Sequence, residues 1–114
     1  TRSKEVSSGM KTMAGAVVTA SSAGPTDNVS VTGATVLKMD TSSNNVTIGG
    51  LAGGVAGQLL FVVKTNTSNS AILENIEGGG SQDIKLLSGA DETITTFGGW
   101  MLVCDGSNWF ALGK

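Results

Sequence analysis

Residues 98–112 have the sequence GGWMLVCDGSNWFAL. Two apolar runs, Trp100–Cys104 and Trp109–Leu112, flank the short polar segment Asp105–Asn108. A glycine-containing loop of this length between two apolar runs is typical of a β-hairpin. The C-terminal part of the chain is therefore predicted to form two antiparallel strands.

Upstream of this hairpin, short segments alternate apolar and polar residues with a period of two. The apolar members are Val29 with Val31, Leu37 with Met39, and Val46 with Ile48. Such alternation places the apolar side chains on one face of a strand. Since no stretch keeps helical periodicity over two turns, we expect an all-β fold, a small antiparallel β-sandwich or barrel.

The segment Gln58–Lys64 differs from these strands because it is continuously apolar between its polar ends. A strand with apolar side chains on both sides is typically covered on both faces. We expect this segment to be a central strand of the sheet.

The first 27 residues carry few large apolar side chains and lack sustained periodicity. They are predicted to form an extended N-terminal arm (residues 1–27) before a compact β domain (residues 28–114). In an assembly protein, such an arm orders across a neighbouring subunit. The arm residues expected to make these contacts are Lys4, Met10, Met13, Val17 and Val18.

The composition favours assembly over nucleic-acid binding. Charged residues make up 14% of the chain and the formal net charge is −2. A surface with few charges suits permanent contacts, because little charge is desolvated when subunits meet. The basic residues are scattered singly, so neither DNA nor RNA is expected as a partner. No segment approaches the length of a membrane span, and no membrane partner is expected.

Catalysis is not expected, because the sequence contains no His and no Tyr. The one cysteine, Cys104, lies in an apolar run, where a buried thiol is the favoured interpretation and an exposed or intersubunit thiol the alternative. Glu74 and Glu77 are interpreted as solvated surface charges. No catalytic residue, cofactor or metal ligand is therefore assigned.

Two glycine-rich segments resemble ligand-binding motifs only in part. Residues 49–57 match neither the dinucleotide fingerprint nor the phosphate-loop spacing. They are predicted to form a loop between strands, with packing around a symmetry axis as the functional alternative. Residues 78–83 resemble one copy of a calcium-binding nonapeptide, but Ser81 replaces a required glycine and stacked copies are needed.

Trp100 and Trp109 lie on either side of the predicted hairpin turn. Core packing or a cross-strand aromatic contact is the favoured interpretation. The functional alternative is a sugar-stacking platform, in which Trp109 and Asn108 contact host-surface glycans.

The second half of the chain resembles a recurring β-module of bacteriophage virion proteins. The resemblance rests on the succession of residues 57–63, 69–73, 83–91 and 98–109, and it spans about residues 45–112. Modules of this kind end in a strand, an Asp-Gly-x-Asn turn and a Trp, and occur in tail-fibre and capsid-associated proteins. The resemblance implies a homotrimer or other homo-oligomer without enzymatic activity.

Two features favour the capsid over the tail. A polar arm before a small β domain is similar to the layout of head decoration proteins, and residues 2–5 and 40–43 are similar to lambda-type members. The chain is also expected to be a complete gene product without a fibre shaft. We therefore expect a decoration (cement) protein on the capsid surface of the virion, with the major capsid protein as partner. The alternative is a tail-fibre or receptor-binding tip domain.

Overall fold

The computed structural model describes residues 15–113 and shows an all-β protein, which confirms the predicted fold class. The strands are β1 (Ala16–Ala20), β2 (Val29–Ser30), β3 (Ala34–Met39), β4 (Val46–Ile48), β5 (Leu51–Ala52), β6 (Leu59–Lys64), β7 (Ala71–Leu73), β8 (Ile84–Lys85), β9 (Glu92–Ile94), β10 (Gly98–Cys104) and β11 (Trp109–Gly113). Within residues 15–113, no helix is long and apolar enough to cross a membrane.

The largest sheet has six strands in the order β1-β3-β6-β10-β11-β8. The predicted hairpin is confirmed, since β10 and β11 pair antiparallel with Cys104 opposite Trp109. Strand β6 lies inside the sheet, as expected, between β3 and β10. The pairs β1–β3 and β3–β6 are parallel, so the sheet is mixed rather than antiparallel throughout. Period-two alternation identifies the buried face of a strand but leaves its direction open.

Two smaller sheets complete the fold, with the orders β4-β7-β9 and β2-β5. Parallel pairing joins β4 to β7 and β2 to β5, and a parallel bridge joins Thr26 to Ile48. Successive strands thus belong to the three sheets in rotation. Each circuit of the chain, called a turn of the coil below, pairs with the circuit before it. The result is a short three-sided β-coil. Strands β9 and β10 pair antiparallel with it, and β11 pairs antiparallel with β10 and parallel with β8.

A single apolar core lies among the three sheets. Its buried members come from all of them, for example Leu37 and Leu60 from the large sheet, Ile48 and Leu73 from the second, and Leu51 from the third. Both tryptophans belong to this core, which confirms core packing as the favoured interpretation. Cys104 is buried as well.

The buried indole groups keep hydrogen-bond partners inside the core. Trp100 Nε1 donates to Glu92 Oε1 over 2.9 Å, and Trp109 Nε1 donates to Gln82 Oε1 over 3.0 Å. The Gln82 side chain also accepts from Gly54 N over 2.9 Å and donates to Gly54 O over 3.0 Å. Gln82 thereby ties the C-terminal hairpin to the loop that follows β5.

Part of the predicted arm belongs to the body of the protein. Residues 16–20 form β1, the edge strand paired with β3, and Val18 packs against the core. Val17 in the same strand is 63% exposed. The predicted contact residues Lys4, Met10 and Met13 lie outside the described residues.

Replacing Gln82 with Ala should lower the free energy of unfolding by roughly 2–4 kcal/mol, because it leaves the buried Trp109 N–H and the Gly54 amide without their partners. Urea unfolding followed by tryptophan fluorescence measures this change. Ser107→Ala is the matched control, since the Ser107 side chain is exposed. A Gln82→Ala variant as stable as Ser107→Ala would contradict the assigned role.

The hairpin turn should make stability depend on pH. Backbone N–H groups of Asn108 and Ser107 each donate to Asp105 Oδ1 over 2.8 Å, and these bonds lower the pKa of Asp105 below its ordinary value of 3.8. A lowered folded-state pKa contributes stability that is present above the unfolded value and is lost as pH falls through the folded value.

The stability advantage of the wild type over Asp105→Asn should therefore be constant near neutral pH and shrink below pH 3.8. Urea unfolding of both proteins between pH 7 and pH 2.5 tests this expectation. A constant difference over the whole range would show that the charge of Asp105 does not stabilise the turn.

Candidate functional site

The face of the six-stranded sheet that points away from the core is apolar; we call it the outer face. Strand pairing aligns Val17, Val36, Phe61 and Met101 in one row across β1, β3, β6 and β10. Paired residues of neighbouring strands share a face. Phe61 is 42% exposed and Met101 is 37% exposed.

Further rows on either side extend the outer face. Leu59, Val103 and Phe110 align in one of them, and Val63 aligns with Lys38 in the other. The apolar strand residues of the outer face are Val17, Val36, Leu59, Phe61, Val63, Met101, Val103 and Phe110. The charged residues on these six strands that share this face are Lys38 and Lys85. Both are cationic, and Lys85 Nζ lies 5.3 Å from the centre of the Phe110 ring.

Two open hollows on the outer face lie on either side of Phe61. One, of about 410 Å³, is lined by Val55, Ala56 and Leu59 among others. The other, of about 620 Å³, is lined by Val63, Phe97 and Met101 among others. Phe61 lines both hollows, and Phe97 at the rim of the second is 67% exposed. An exposed apolar surface of this kind is suited to binding another macromolecule.

The second notable feature is a cluster of three carboxylates, Asp27, Glu74 and Glu77, whose ligand atoms lie within 4.8 Å of one another. We call it the carboxylate cluster. The coil brings it together, because Thr26 pairs with Ile48 and Ile48 pairs with Leu73. The residues that follow these three, Asp27, Gly49 and Glu74, therefore occupy equivalent corners of successive turns.

Backbone hydrogen bonds hold this corner in register. Gly49 N donates to Thr26 O over 2.8 Å, and Glu74 N donates to Ile48 O over 3.0 Å. Gly49 is the middle residue of the stack and leaves space between its acidic neighbours. A Cβ atom at Gly49 would lie 2.7 Å from Glu74 Oε1 and 2.8 Å from Asp27 Oδ1.

The carboxylate cluster is electrostatically unfavourable without a counter-charge. Asp27 Oδ1 and Glu74 Oε1 are buried atoms, and neither has a hydrogen-bond partner among the described residues. Burial raises the pKa of Glu74, and the neighbouring charges of Asp91, Glu77 and Asp27 raise it further. Glu77 is more exposed, and its Oε2 accepts from Gly79 N over 2.8 Å.

Sequence reasoning missed this cluster. The sequence pattern predicts solvated surface charges at Glu74 and Glu77, but Glu74 is half-buried and faces two other carboxylates. The predicted arm ends at Asp27, which gives this residue no expected contact with Glu74 or Glu77. The signal lay in the parallel stacking of turns, which brings Asp27 next to residues distant in sequence.

The glycine-rich segments also have a local role. A Cβ atom at Gly50 would lie 2.4 Å from Asp27 O, and one at Gly80 would lie 2.1 Å from the same atom. Both glycines therefore pack closely against the backbone of Asp27. Residues 49–57 are not one continuous loop, because Leu51–Ala52 forms β5.

The predicted glycan-contact residues do not form a sugar platform. Trp109 is 0% exposed, so neither face of its ring is available for stacking on a sugar. Asn108 is half-buried, and its Oδ1 accepts from Asp83 N over 3.1 Å. Both side chains support the hairpin and the adjoining β8 region.

Comparison of the chain with protein-family models, with curated proteins and with solved structures gave no match.

Proposed function

We propose that this protein is a non-enzymatic structural component of a virus particle, a bacteriophage capsid decoration protein that binds and stabilises the major capsid lattice. The observation that carries the proposal is the apolar outer face. The resemblance of residues 45–112 to phage virion modules supports the viral context, and the low charge content supports a permanent contact.

The central strand β6 gives the strongest argument for a partner. Its sequence is apolar on both sides, as in strands covered on both faces. In the isolated chain, Leu60 and Val62 are buried in the core while Phe61 is 42% exposed on the other side. A partner bound to the outer face would bury Phe61, so that both sides of β6 would be covered, as its apolar sequence predicts.

The chemistry of the outer face defines the partner surface. Apolar side chains surround Phe61, and the charges on the strands of this face, Lys38 and Lys85, are both positive. The fitting surface on the major capsid protein is apolar with carboxylates at its rim. Only the exposed 42% of Phe61 and 37% of Met101 remain to be buried, so contact with a partner would contribute roughly 0.5–1.3 kcal/mol for each side chain.

Assembly would multiply this contact. The family resemblance implies a homotrimer or other homo-oligomer, which would present several copies of the outer face to the capsid at once. Linked binding sites gain avidity without new contacts. Contacts by the predicted arm would add to the surface buried between capsid subunits and raise the energy needed to separate them.

Substitutions on the outer face test the binding surface. Phe61→Ser and Met101→Ser should each lower affinity for capsids that lack the protein by roughly two- to tenfold, since each removes further apolar burial worth about 0.5–1.3 kcal/mol. Leu87→Ser is the matched control, because Leu87 is 72% exposed and lies outside the strands of the outer face. Co-sedimentation with purified capsids measures binding.

Immunogold labelling of intact virions first establishes the location. Label over the head agrees with decoration, whereas label confined to the tail would replace this proposal by the tail-fibre alternative. Equal capsid binding by Phe61→Ser and Leu87→Ser would reject the outer face as the binding surface.

The arm is tested by a deletion that spares the sheet. Removing residues 1–14 retains β1, whereas removing residues 1–27 would also remove an edge strand and Asp27. The shorter deletion should weaken capsid binding and leave the thermal unfolding midpoint unchanged. Undiminished binding by a folded 15–114 protein would contradict the arm's assigned role.

A further inference from the structure

We propose that Asp27, Glu74 and Glu77 form a binding site for a divalent cation, with calcium as the best fit. This inference is independent of the proposed capsid role, because it concerns the corner of the coil rather than the outer face. A cation here would link successive turns of the chain.

The first argument is the state of the oxygen atoms. Asp27 Oδ1 and Glu74 Oε1 are buried and have no hydrogen-bond partner among the described residues. A buried carboxylate oxygen without a partner is costly. One cation between the two residues would satisfy both oxygens and neutralise their repulsion.

The second argument is the space left by Gly49. Strand stacking would normally place a side chain between those of Asp27 and Glu74. Any Cβ at this position would lie under 3 Å from both Asp27 Oδ1 and Glu74 Oε1. Gly49 thus keeps open the volume toward which the two carboxylates point, and Gly79 does the same near Asp27 Oδ2 and Glu77 Oε2, each 2.6 Å from its hypothetical Cβ.

The donor set indicates the kind of cation. The three residues offer carboxylate oxygens, which are hard ligands suited to calcium or magnesium rather than to softer transition metals. Calcium accepts irregular geometry and bidentate carboxylates, whereas magnesium requires a near-ideal octahedron and retains several waters. Carboxylates from separate segments of a coil fit the less demanding ion.

The test uses the full chain and calcium chloride. Calcium should raise the thermal unfolding midpoint of wild type by roughly 5–15 °C at saturation relative to EDTA. Glu74→Gln keeps the side-chain size and removes one charge. It should lose the calcium-dependent shift and bind calcium at least about tenfold more weakly by isothermal titration calorimetry.

A second readout separates a cation site from a merely structural role. In EDTA, Glu74→Gln should be at least as stable as wild type, because it relieves repulsion among the three carboxylates. Gly49→Ala supplies an independent variant with all three charges retained, and it should weaken calcium binding by filling the gap. Asp40→Asn is the control, since Asp40 is not part of the carboxylate cluster.

Loss of the calcium shift in Glu74→Gln but not in Asp40→Asn would support the site. A shift of equal size in wild type, Glu74→Gln and Asp40→Asn, or no calcium binding by wild type, would overturn it.

Discussion

The parallel register between successive turns of the chain is the constraint on which the rest of the structure depends. Pairing Val36 with Phe61 builds the row that crosses the outer face, and pairing Leu37 with Val62 fixes the adjacent row that faces the core. A slip of one residue would exchange these two faces. The same stacking aligns Thr26, Ile48 and Leu73, and so places Asp27 beside Glu74. Core, outer face and carboxylate cluster therefore share one structural origin.

Alternation and turn chemistry predicted the local structure well. The hairpin of β10 and β11, the all-β class and the burial of Cys104 follow from residues close together in sequence. The direction of strand pairing could not be predicted in this way, because a period of two is common to parallel and antiparallel strands. The arm boundary at residue 27 failed to anticipate β1 for a related reason, since a short strand of small residues is held by backbone bonds to β3.

The outer face and the carboxylate cluster differ in how visible they are in sequence. The apolar run of β6 signals two covered faces, and only the structure shows that one of them remains open in the isolated chain. The three acids carry no local signal, because Asp27 and Glu74 come from different turns. Gly49, which separates them, is conspicuous in sequence only as one of many glycines. Its importance depends on its neighbours in space.

The mixed topology has a kinetic consequence. The β10–β11 hairpin joins residues that are neighbours along the chain, whereas each parallel pair closes a long loop before any stacking contact forms. Loop closure costs conformational entropy, and chains dominated by such distant pairings fold slowly. The hairpin can form without the rest of the domain, whereas the apolar core of the coil forms only when several turns have paired. Folding of this domain is therefore expected to be limited by the search for register, with the C-terminal hairpin as the template on which β6, and then β3, assemble.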